Sequence, residues 1–176
     1  MQRTGKTLTA LLVILVFSDA GRAWAFDLTS KAFKNGAEIP QVYTCQGRDA
    51  SPPLAWSGTP SGTRSFALVC DDPDAPLGTW VHWVYYDIPA HVSALPESIP
   101  KTARPAPGGI QGRSSFGDIG YGGPCPPWGT HRYHFRLYAL DTVLGLESGV
   151  KKKELLRAME GHVLGTAELM GTYRKK

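Results

Sequence analysis

Two proline-studded stretches constrain this chain more than any other feature: Asp71-Asp72-Pro73-Asp74-Ala75-Pro76, and the run from Gly122 to Tyr133 that contains Pro124, Cys125, Pro126, Pro127, Trp128, His131 and Arg132. Each begins or ends a strand with rigid loop chemistry, because proline fixes φ and removes a backbone donor. Proline at this density beside aspartates, histidines and an arginine describes a pre-shaped polar cleft rather than a hydrophobic core. The two stretches read as two halves of one anion pocket.

Around them the chain falls into short β-like runs punctuated by Gly and Pro, at residues 27–30, 65–70, 80–88, 132–140 and 167–173. The pattern is all-β with little helix. A period-two reading of 80–88 puts Trp80, His82, Val84, Tyr86 and Ile88 on one face, and Val81, Trp83, Tyr85 and Asp87 on the other. Both faces are largely apolar, which predicts a central strand in a packed sandwich. Across 132–140, His131, Tyr133, Phe135, Leu137 and Ala139 alternate against Arg132, His134, Arg136, Tyr138 and Leu140. Arg132 and Arg136 therefore need polar partners.

One segment departs from this pattern: Leu155, Leu156, Met159 and Val163 recur at helical spacing and predict a helix over 152–162, weakened late by Gly161. Residues 90–123 carry prolines at 96, 100, 105 and 107 and seven glycines, which reads as a loop excursion that shapes a site.

At the start of the chain, Arg3 and Lys6 precede an apolar run at 8–17, and Ala23-Trp24-Ala25 follows. That order predicts a secretory signal peptide over residues 1–25, cut before Phe26, with a secreted or periplasmic product. The apolar run is short for a membrane span, which needs about 20 residues. Residues 26–176 then form one domain with 16 basic and 14 acidic residues, a net charge of +2. This balance does not suggest a nucleic-acid partner. Lys151-Lys152-Lys153 and Arg174-Lys175-Lys176 lack interleaved aromatics and read as solvated surface and helix flank.

Three cysteines, an odd number, remain in a compartment that permits disulfides. Cys70 sits in an apolar run and reads as a buried hydrophobe, whereas Cys45 and Cys125 lie in loop contexts, so any disulfide is expected to join those two. The spacings predict no structural zinc site and no cofactor.

Several motifs in one order carry a family resemblance: Tyr43-Thr44-Cys45, Ser51-Pro52-Pro53-Leu54-Ala55-Trp56, Asp72-Pro73-Asp74-Ala75-Pro76, Trp80-Val81-His82-Trp83, Asp87-Ile88-Pro89, Gly120 through Pro127, His131-Arg132-Tyr133 and Glu160-Gly161-His162-Val163-Leu164. The chain resembles the phosphatidylethanolamine-binding protein family, in its bacterial and archaeal Raf kinase inhibitor-like branch, YbhB/YbcL. That resemblance implies an antiparallel β-sandwich with a small helical component and a pocket at one end for phosphate-like groups. Carried over residue by residue, the pocket comprises Asp72, Asp74, His82, Pro126, Pro127, His131 and Tyr133. Imidazoles can donate to a phosphate oxygen, an acid can hold the other ring nitrogen, and Tyr133 adds a hydroxyl. A carboxylate could receive an ethanolamine ammonium, and backbone donors of residues 120–123 could join in.

Each residue also has a plainer role. Acids beside proline stabilise turns, a strand histidine is most often a bonded core residue, and Arg132 reads as a strut paired with a buried acid of the first motif. His134, His162 and His91 read as structural or surface residues, and Trp128 as part of the pocket's edge. Two function classes follow. The first is a non-catalytic extracytoplasmic module for a small anionic or phosphorylated ligand, which could also inhibit a partner protein. The second is a hydrolase using the Asp/His cluster as base, or Cys125 as nucleophile with His131; a metal on Asp72, His82 and His131 is a third and weaker option. Outward-capable Trp83 and Tyr85 would allow a homodimer.

Overall fold

The computed structural model describes residues 25–176; the signal-peptide expectation for residues 1–24 lies outside the described residues. Two antiparallel sheets face each other. The smaller is ordered β1 (Asp27–Thr29), β2 (Leu54–Ser57), β5 (Ala94–Leu95). The larger is ordered β6 (Ile110–Gln111), β4 (Trp80–Pro89), β3 (Ser65–Asp72), β7 (Thr130–Leu140), β8 (Val163–Arg174). The all-β antiparallel sandwich expected from the sequence is what the chain forms.

The large sheet is buried on both faces, which explains why β3 is buried at all eight positions. Toward the small sheet, Phe66, Leu68, Trp83, Tyr85, Phe135 and Leu137 form the main core with Leu28, Leu54 and Trp56. Toward the other side, Ala67, Val69, Val84, Tyr86 and Leu140 pack with Leu155 of helix α1 (Lys152–Ala158) and with Met159, which caps its C-terminus. Trp83 and Tyr85 are fully buried, so they offer no dimer surface. The helix stops short of the predicted 162, because Gly161 turns at φ +80° and Val163 already begins β8.

The alternation predicted for β7 holds, but that of β4 is broken twice. Register shifts occur opposite Phe66/Leu68 and opposite Cys70/Asp71. Ile88 consequently joins Trp83 and Tyr85 in the main core instead of Val84 and Tyr86. At the other shift, Trp83 pairs with Cys70 and Val81 with Asp71, leaving His82 as the extra residue of a bulge.

Residues 90–123 contribute β5 and β6, and one side chain fastens the excursion to the sheet. Fully buried Gln111 accepts from the Trp83 indole N–H at 2.7 Å and donates to the carbonyls of Pro100 and Thr102. Among the described residues one peptide bond is cis, Ala106–Pro107. Among the described residues no helix is long and apolar enough to cross a membrane.

Candidate functional site

The end of β3 places two carboxylates back to back. Asp71 points toward α1, where it binds Arg136 at 2.9 Å and Lys152. Asp72 points the other way, where Oδ2 accepts from His131 Nδ1–H at 2.7 Å and Oδ1 accepts from the Asp74 backbone N–H at 2.8 Å. Both oxygens of Asp72 are thus engaged, and the residue is only 3% exposed. His131 keeps Nε2 as its unengaged ring nitrogen.

The bulge in β4 delivers the second imidazole. Regular pleating would aim His82 toward α1 with Val84; the extra residue turns it to the opposite side, where its ring packs edge-on against Tyr133 at 5.1 Å and Phe116 at 5.4 Å. His82 Nδ1–H donates to the Gly122 carbonyl at 2.6 Å, which again leaves Nε2 unengaged. Burial pushes the His82 pKa below the ordinary imidazole range, against the opposing pull of the Gly122 carbonyl and of Asp72. At neutral pH its Nε2 is therefore an acceptor.

Both histidines line a single cavity of about 220 Å3 together with Asp72, Trp80, Phe116 and the Pro126–Pro127 wall. The wall is held from behind. Cys125 is disulfide-bonded to Cys45, the Cys45 N–H donates to the Pro124 carbonyl, and Gly123 N–H donates to Asp49 Oδ1 at 2.6 Å. A Cβ on Gly123 would sit 2.5 Å from the Tyr43 carbonyl oxygen, so this backbone approach requires glycine. The expected Cys45–Cys125 pairing is present and Cys70 is buried and free. A thiolate at Cys125 is thereby removed, and the cysteine-nucleophile alternative with it.

Five of the seven residues assigned to the pocket line this cavity: Asp72, His82, Pro126, Pro127 and His131. Tyr133 lies beneath His82, fully buried, with its hydroxyl lacking any hydrogen-bond partner and its pKa raised by burial. Asp74 is drawn away from the cavity. Arg132 clasps it with a backbone N–H and two guanidinium bonds of 2.6–2.9 Å, which hold its carboxyl down at about 2. The Arg132 strut exists, but its acid is half-buried Asp74; the fully buried Asp71 takes Arg136 and Lys152 instead. Each Asp72 oxygen already accepts one hydrogen bond, and both Asp74 oxygens are taken by Arg132. The Gly122 and Gly123 amides are likewise spent, on His82 and Asp49.

Sequence reasoning missed Phe116 and Trp80, whose edge-to-face pair at 5.4 Å closes one side of the cavity. Phe116 lies over Gly122, where a Cβ would come within 2.5 Å of its ring. An aromatic in a Ser-Ser-Phe-Gly turn, six residues before that glycine, was the available signal. Trp128, expected at the pocket's edge, is 67% exposed and outside the lining.

Comparison with known proteins decides the family. The model of the phosphatidylethanolamine-binding protein family matches residues 29–174. This chain belongs to that family. A UPF0098 protein of Methanothermobacter thermautotrophicus is 53% identical over 149 residues, covering 85% of this chain and 99% of its own. Among solved structures, Escherichia coli YbcL, described as a member of the mammalian PEBP family, superposes with a TM-score of 0.81 at 36% identity, covering 87% of this chain and 100% of its own. The PEBP homologue CT736 of Chlamydia trachomatis reaches 0.80 at 47% identity, covering 86% and 99%. These relatives are named as PEBP or UPF0098 proteins rather than as enzymes.

Proposed function

We propose that this chain is an extracytoplasmic binding protein whose His82–His131 cavity takes a phosphate-like group of a small ligand, a phospholipid head group being one source. The observation that carries this reading is the pair of imidazoles in one cavity, each with Nδ1 fixed by an internal acceptor and Nε2 left over. Neither lysine nor arginine lines the cavity, and a carboxylate already lies at its base. A fully ionised phosphate would be poorly compensated there. A monoanionic phosphate or phosphate ester fits better, its P–OH donating to Nε2 of the neutral His82.

The lining contains no hydroxyl, free thiol or amine that could act as a nucleophile, which supports binding over covalent catalysis. Export through the predicted signal peptide separates this chain from cytosolic kinases, so the inhibitor activity implied by the branch name is not carried over to a kinase. A partner outside the cytoplasm is compatible with it.

The test is amide NMR of the purified protein titrated with inorganic phosphate and phosphoethanolamine, with an Asp72→Ala/His131→Ala double variant as control. Saturable shifts confined to residues 72–82 and 116–133, absent in the folded variant, are expected. A folded wild-type protein showing no shift with either probe overturns the phosphate-pocket reading.

A further inference from the structure

A larger recess adjoins the histidine cavity. On the far side of Trp80, whose indole lines both, a groove of about 510 Å3 is walled by Arg113, Ser114, Lys151, Lys152 and Lys153. Its charge is one-sided. Lys152 is committed to Asp71, but among the described residues no acidic side chain lies within ion-pair distance of Lys151, Lys153 or Arg113. The Arg113 guanidinium donates to the Gly117 carbonyl, and Glu154 at the groove's end accepts from the Lys151 backbone N–H. Neither contact neutralises the cluster.

Ser114 is 5% exposed, lines the groove, and its Oγ has no hydrogen-bond partner. Buried hydroxyls without partners are rare because each forgoes a hydrogen bond available to it in water. The Ser114 Oγ itself is enclosed and out of reach of a ligand in the groove; the three cations without acids around the recess are what call for an anion that accepts from them.

We propose that the groove is a second anion subsite, so that the ligand of this chain is bis-anionic. One phosphate-like group sits at His82 and His131; a second phosphate or carboxylate lies across Trp80 on Lys151, Lys153 and Arg113. This rests on the reading of the histidine cavity given above. The two recesses divide the work, imidazole hydrogen bonding in one and net positive charge in the other. Trp80, 38% exposed between them, supplies an apolar face for the linker of the ligand. The lysine run is then more than a solvated helix flank.

Isothermal titration of the purified protein with phosphoethanolamine and with hexanediol bisphosphate, at low and high salt, tests this on wild type, Lys151→Ala/Lys153→Ala and His131→Ala. The bisphosphate is expected to bind at least about tenfold tighter than phosphoethanolamine. Salt and the lysine substitutions remove that gain and leave phosphoethanolamine affinity unchanged. A bisphosphate that binds no tighter, or whose advantage survives the lysine substitutions, overturns the second subsite and leaves the first standing. Bisphosphate binding that ignores His131→Ala, with no phosphoethanolamine binding at all, overturns the first pocket and the bridging ligand with it.

Discussion

Asp71 and Asp72 are neighbours in the chain, equally buried and chemically identical, yet the pleat of β3 gives them unrelated roles. Asp71 meets two cations and is part of the packing between the large sheet and α1. Asp72 meets an imidazole and a backbone amide and leaves a ring nitrogen available in a cavity. A buried carboxylate is defined by what stands opposite it. Opposite Asp71 the ion pairs are closed; opposite Asp72 the hydrogen-bond chain ends in open space.

Removing each carboxylate in turn is the sharpest way to break this comparison. Asp71→Ala strands Arg136 and Lys152 without their buried partner and is expected to cost about 3 kcal/mol in urea unfolding, with phosphate binding intact in the folded fraction. Asp72→Ala is expected to cost less, about 2 kcal/mol, but to weaken phosphate binding tenfold or more because His131 loses its fixed orientation. The opposite pattern, with binding lost at 71 and kept at 72, would dissolve the distinction.

The smallest effect is in pH. Below an ordinary imidazole value of 6.5 the unfolded chain takes up a proton at position 82 that the folded chain resists, so stability falls as pH drops through that range. Asp74, lowered from 3.8 to about 2, adds stability present above 3.8 and lost as pH falls toward 2. Urea midpoints measured from pH 7 to pH 2 should show both declines, the first flattened by His82→Gln and the second by Asp74→Asn. A midpoint that rises on acidification between pH 7 and 5 contradicts the burial of His82.

The alternation of β7 was legible because every residue from His131 to Leu140 keeps its face. That of β4 was not, since a bulge depends on which residue of a partner strand lies opposite, and a single strand carries no record of its partner's register. The same limit separates the site residues. Asp72, His131 and the two prolines belong to motifs whose loop chemistry can be read locally. Asp74 and Tyr133 sit in the same motifs, but Arg132 and the His82 ring fix their roles from across the sheet. Trp80 and Phe116 were overlooked for a related reason: their meeting is a contact between the first residue of β4 and a turn thirty-six positions later.

Gly122 joins three of these features at one residue. Its carbonyl receives His82, its N–H returns a bond to the His82 carbonyl, and its bare Cα is the floor under Phe116. Entrance and chemistry are geared together through it: a methyl group there would act as a wedge, tilting the aromatic door and unseating the imidazole in one stroke. Variation in the width of this doorway is consequently left to position 116 itself, where a smaller side chain opens the mouth without touching the peptide that holds His82.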